Sequence, residues 1–175
     1  MRFLSVCLIL LLSAVTMARS QTPAPPITSP NLSAIAFLTK HEWEAKLRDA
    51  PDGKKRKIHA QFSWSQNGQA IRISNQFVTD GKARPYIDGL YAWDPKQQAI
   101  VFWYVDAEGG LTKGAVKMEG GKPVHEFEEI GVDGKSSAYV AKVTPQGEES
   151  WENEIFARRG SDLRLMVKVR YEIAD

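Results

Sequence analysis

From residue 51 onward the chain is punctuated at short, regular intervals by residue pairs suited to tight turns. They are Pro51-Asp52-Gly53, Asn67-Gly68, Asp80-Gly81, Asp94-Pro95, Gly109-Gly110, Gly120-Gly121, Asp133-Gly134, Pro145-Gln146-Gly147 and Gly160-Ser161-Asp162. Asn-Gly and Asp-Gly accept the positive φ that two-residue hairpin turns demand. The segments between them alternate apolar and polar side chains, near 41–48, 56–66, 69–79, 85–93, 98–106, 111–119, 123–131, 135–144, 148–158 and 163–173. Short strands at this spacing indicate a sandwich or a barrel. No long segment carries a 3.6-residue apolar period, so crossover helices and a parallel sheet are excluded. Consecutive hairpins make sequence neighbours into spatial neighbours. An open sheet of about ten strands would leave two long unpaired edges, and closure removes them. The expected fold is all-β: an antiparallel up-and-down meander of about ten strands closed into a barrel, with a short N-terminal helix.

The last segment shows the pattern most clearly. Leu163, Leu165, Val167, Val169, Tyr171 and Ile173 are read as one dry face, against Arg164, Met166, Lys168, Arg170 and Glu172. Segment 56–66 sets Ile58, Ala60, Phe62 and Trp64 against Lys57, His59, Gln61 and Ser63. Segment 98–106 is apolar on both sides, so both are expected to be covered.

The first twenty residues have a different logic. Met1-Arg2 supplies a positive charge, Phe3 to Val15 is almost continuously apolar, and Ala18-Arg19-Ser20 has the small residues of a cleavage site. This is the layout of a secretory signal peptide, too short to span a bilayer. The reading is 1–20 signal, 21–35 a flexible Pro-rich lead-in and short helix, and 36–175 the barrel, exported to a periplasmic or extracellular compartment. Asn31 to Leu38 is the helical stretch, with Asn31 as N-cap and Leu32, Ile35, Ala36 and Leu38 on one face, placed to plug one barrel mouth. The single cysteine, Cys7, lies in the signal, so the mature chain has no disulfide and no thiolate ligand. Removal of Arg2 and Arg19 reduces Lys+Arg from 23 to 21, equal to the 21 Asp+Glu. That neutral balance argues against nucleic acid as a partner, and no other stretch is long enough to cross a membrane.

One run stands out. Tyr86-Ile87-Asp88-Gly89-Leu90-Tyr91-Ala92-Trp93-Asp94-Pro95, followed by Ile100-Val101-Phe102-Trp103-Tyr104-Val105-Asp106 and Gly114, resembles the central hairpin of uncharacterised bacterial lipocalin-like (calycin-like) barrel domains. Trp43 near the first strand and Trp64-Ser65-Gln66-Asn67-Gly68 before a turn fit the same pattern, while His41 stands where family members often carry glycine. The resemblance implies a lipocalin-like barrel and a small-molecule pocket, not a reaction. Related haem-binding barrels use a histidine on a late strand, and this chain has none after His125. No cofactor is expected.

Residues that could carry chemistry are sparse. His41, His59 and His125 lie on separate segments without metal-ligand spacing. By parity His59 faces out and His125 shares a face with Phe127. Glu126 with Glu128, and Glu152 with Glu154, pair on strand faces best read as solvated. No Gly-x-Ser-x-Gly elbow and no Gly-x-x-x-x-Gly-Lys loop occurs. Lys54-Lys55-Arg56-Lys57 reads as a charged hairpin tip. The aromatic residues are more informative. Trp43, Phe62, Trp64, Tyr91, Trp103, Trp151 and Tyr171 are the expected pocket lining, with Asn75 and Asn153 as polar groups set into an apolar wall. The leading expectation is a non-catalytic barrel that holds a small apolar or amphipathic molecule. The alternatives are a filled-core interaction module of the cell envelope and an enzyme with a histidine/carboxylate site at the barrel mouth.

Overall fold

Each turn signal bends the chain back on itself. At Asp80-Gly81 both residues take positive φ, 49° and 77°, as a primed hairpin turn requires. The computed structural model, which describes residues 28–47 and 54–174, places ten strands between these bends. They are β1 (Trp43–Lys46), β2 (Arg56–Trp64), β3 (Ala70–Thr79), β4 (Lys82–Asp94), β5 (Ala99–Asp106), β6 (Leu111–Glu119), β7 (Lys122–Ile130), β8 (Ser136–Pro145), β9 (Ser150–Arg159) and β10 (Asp162–Ile173). Every sequential pair is antiparallel, and β1 also pairs with β10, so the meander is a closed barrel. The expected signal peptide and most of the lead-in lie outside the described residues. Among the described residues no helix is long and apolar enough to cross a membrane.

Closure rests on little backbone pairing. β9 and β10 pair over ten positions, but β1 meets β10 only at Trp43–Ile173 and Glu44–Glu172, extended by one bond from the Ala174 amide to the Glu42 carbonyl at 2.9 Å. Trp43 reinforces this seam. It is 1% exposed, its indole Nε1 donates to the Leu38 carbonyl at 2.7 Å, and its ring meets Trp151 edge-on.

The helix is a 3₁₀ helix spanning Pro30–Lys40, longer than expected and differently capped. Ser29, not Asn31, occupies the cap position without a side-chain capping bond. Pro30 opens the helix, where its fixed φ fits and no amide is lost. Its buried residues are Leu32, Ile35 and Leu38, three apart, which is the repeat of a 3₁₀ helix whose side chains stack every third position. The helix contacts β2, β3, β4 and β7, and the Ser29 amide bonds to the Gly68 carbonyl on the β2–β3 hairpin. It plugs the end formed by the β2–β3, β4–β5, β6–β7 and β8–β9 hairpins, and its three apolar side chains join the barrel core.

Two expectations about strand faces are overturned. The pairing of β10 slips between Leu165 and Val167, leaving Met166 as a bulged extra residue. A one-residue bulge exchanges the two faces of a strand. Val167, Val169 and Tyr171 therefore follow the inward register of Ile155, Asn153 and Trp151. Leu163 and Leu165 instead align with Arg158 and Phe156 and are exposed, as is Ile173. The outer face of β5 is also not covered: Trp103 is 44% exposed and Val105 50%. A second bulge, at Tyr86 on β4, lets Tyr86 and Ile87 both reach the interior.

Two glycines permit the strands to pass closely around the aromatic interior. A Cβ on Gly89 would overlap the Trp103 carbonyl oxygen and the Tyr104 Cβ, and one on Gly114 would overlap the Glu126 carbonyl oxygen and the Phe127 Cβ. Both opponents are backbone or backbone-proximal, so they cannot swing aside. Gly89→Ala should lower stability by about 1–3 kcal/mol, the usual cost of an overpacked core, measured as a lower urea midpoint at unchanged slope.

Candidate functional site

The inward positions leave a cavity of about 390 Å³ inside the barrel. This falls in the range of small-ligand pockets. Leu38 of the helix closes one end, while Tyr86, Glu129 and Met166 lie towards the other. The wall is aromatic and aliphatic. Trp151 and Tyr171 stack at 4.0 Å with nearly parallel rings. Phe102 lies between Tyr91 and Tyr104, and Phe127 stacks on Tyr139 at 5.5 Å.

Four polar atoms break that wall. Asn75 Oδ1, His125 Nδ1, Trp151 Nε1 and Asn153 Oδ1 are buried and make no hydrogen bond to any described residue, and all four residues line the cavity. A buried polar group left without a partner costs roughly 1–3 kcal/mol. The strand register explains their placement. Asn75 continues the inward series of Ile71 and Ile73 and faces Ala60 across the ladder. Asn153 sits between Val143 and Val169. His125 follows the inward register with Phe127 and stands edge-on to Tyr91 at 5.7 Å and Phe102 at 5.3 Å.

The interior is electrically quiet. Burial pushes the His125 imidazole down to about 4, so it is neutral near pH 7. Burial also raises Tyr91 and Tyr171, and holds Tyr104 up at about 12 against a hydrogen bond with Thr112 that pulls the other way. The phenols therefore stay protonated. No carboxylate is hydrogen-bonded to His125 among the described residues, so it lacks the orienting partner that a catalytic base usually has.

Of the residues expected to line a pocket, Phe62, Asn75, Tyr91, Trp151, Asn153 and Tyr171 do so. Three do not. Trp43 is buried at the seam between helix and sheet, Trp64 packs half-buried against the core, and Trp103 projects from the outer face. Trp103 alternates with Phe102 and Tyr104, so on a strand apolar on both sides residue type could not distinguish in from out. His59 faces outward, 3.2 Å from Glu42. Glu152 and Glu154 both bind Lys168 on the outer surface, and Glu126 binds Lys117 and Arg158. Lys57 of the basic run is paired with Glu44. The lining residues that sequence reasoning passed over include Tyr86 and Glu129. Glu129 shares the inward parity of His125 and Phe127, a signal available in the sequence. Tyr86 is itself the bulged residue, where parity gives no guide. The chain matches no protein-family model and no curated protein sequence.

Proposed function

We propose that this protein is an exported, lipocalin-like carrier that holds a small apolar or amphipathic molecule inside its barrel without chemical change. One observation carries the reading: the four unpaired buried polar atoms all belong to residues around one apolar cavity. A barrel selected only for packing would place apolar groups there, because unpaired polar atoms destabilise the fold and pack no better. An occupant with hydrogen-bonding edges and an apolar body relieves that cost and fills the space. The lipocalin-like hairpin motif and the signal-peptide layout of residues 1–20 support the same reading.

The test combines extraction and refilling. Protein purified from its native compartment, starting at Gln21, should release a small molecule into organic solvent that mass spectrometry detects. The emptied protein should then take up the uncharged fluorophore N-phenylnaphthylamine with enhanced emission. Ala141→Phe, which adds a ring at the cavity wall, should abolish that uptake while the protein still unfolds cooperatively. An empty extract together with no uptake by the wild type would remove the carrier reading.

A further inference from the structure

Among the described residues, Glu129 is the one charged side chain that lines the cavity. It lies on β7 two positions beyond Phe127, towards the open end, and it is exposed. Its carboxylate makes no hydrogen bond or ion pair with any described residue. Its outward neighbours Glu126 and Glu128 are engaged by Lys117 with Arg158, and by Lys113. Nearby, Asp106 holds the amides of Glu108 and Gly110, and Glu108 faces Arg84 at 3.7 Å. Tyr86 and Tyr104 lie in the field of both Glu129 and Asp106, and burial together with that field raises Tyr86. The side of the mouth made by β4 to β8 thus presents one carboxylate without a partner among the described residues, that of Glu129, beside the rings of Tyr86, Phe127 and Tyr139.

These features discriminate between classes of occupant. A carboxylate deep in the cavity would meet a neutral imidazole and no cation, and burying an unpaired charge is costly. A carboxylate left at this side of the mouth would be repelled by Glu129. A cation there is attracted by the carboxylate and by the faces of the tyrosine and phenylalanine rings. Further in, the unpaired Asn75 and Asn153 oxygens ask for N–H or O–H donors. The stacked Trp151–Tyr171 pair and Phe102 offer flat apolar surface.

We infer that the occupant is an arylalkylamine, an aromatic ring system bearing a basic amine on a short side chain. Its ring system sits among Phe102, Trp151 and Tyr171, its ring donors meet the Asn75 and Asn153 oxygens, and its protonated amine stays at the mouth beside Glu129. This rests on the carrier reading above.

Calorimetric titration of the emptied full-length mature protein separates the two. Tryptamine, indole and indoleacetate share one ring and carry positive, no and negative side-chain charge. Tryptamine should bind roughly tenfold more tightly than indoleacetate, the scale of one ion pair aided by cation–π contact at a partly wet site. Glu129→Gln should erase that preference, whereas Glu128→Gln, which changes the adjacent outward carboxylate, should preserve it. Equal affinity for amine and acid, a preference that survives Glu129→Gln, or no binding of any of the three would overturn the inference. N-phenylnaphthylamine uptake in the same preparation reports on the cavity itself. If it binds while amine and acid do not differ, the carrier reading stands and the amine inference falls.

Discussion

Replacing Trp43 with alanine is expected to lower the stability of the barrel by about 3–5 kcal/mol, the range for deleting a buried aromatic side chain. Trp43 joins three parts of the fold. Its Nε1 donates a hydrogen bond to the Leu38 carbonyl in the last turn of the helix. It supplies half of the two-position ladder between β1 and β10, and its ring meets His41 and Trp151 edge-on. Truncation leaves the Leu38 carbonyl without that donor and opens a void where backbone pairing is thinnest. Chemical denaturation should show a large fall in midpoint. Trp43→Phe keeps most of the ring volume and loses the hydrogen bond, so it should cost clearly less. Equal losses for the two variants would mean that the hydrogen bond, rather than the packing, dominates.

Acidification should destabilise the protein through His125 by up to about 3 kcal/mol. In the fold, burial alone lowers this imidazole to about 4, against the ordinary 6.5 expected of an unfolded chain. Above pH 6.5 the side chain is neutral in both states and the pH has no leverage through it. Between 6.5 and 4 the unfolded chain takes up a proton that the folded chain refuses, so stability declines steadily as pH falls. Below 4 both states are protonated and the loss levels off. Glu126, held low by hydrogen bonds from Lys117 and Arg158, also loses stabilisation as acid protonates it. His125→Phe isolates the histidine, because the ring still fits between Tyr91 and Phe102 but carries no titrating nitrogen. Urea unfolding at pH 7 and pH 4.5 should show a smaller decline for the variant. Parallel curves for the two proteins would contradict a neutral buried imidazole.

Much of this architecture was legible because turn chemistry is local. Asp80-Gly81 or Gly120-Gly121 states its own backbone requirement, so strand number and antiparallel order follow from the sequence without knowledge of any partner. Bulges are different. Met166 and Tyr86 look like ordinary strand residues, and only cross-strand pairing reveals the extra residue that turns Leu163 and Leu165 outward. The helix type was encoded in the three-residue spacing of Leu32, Ile35 and Leu38. Over so short a run, however, Ala36 makes a 3.6-residue face equally plausible. In the cavity, Asn75 and Asn153 were identifiable because a polar residue in an apolar register stands out. Trp103 was misplaced because its neighbours on both sides are as apolar as it is.

The seam also fixes the order in which the molecule can be completed. Trp43 and Ile173 come from opposite ends of the folded span, and the helix that seats on the core precedes both. During synthesis the hairpins from β2 to β9 can zip up one after another as they emerge. The earliest strand must still wait for the latest, since non-local pairing cannot form before its partner exists. Until then Trp43 and the apolar side of the helix have no finished wall to cover. Those apolar surfaces lack their cover until β10 arrives, the condition under which partly folded chains associate.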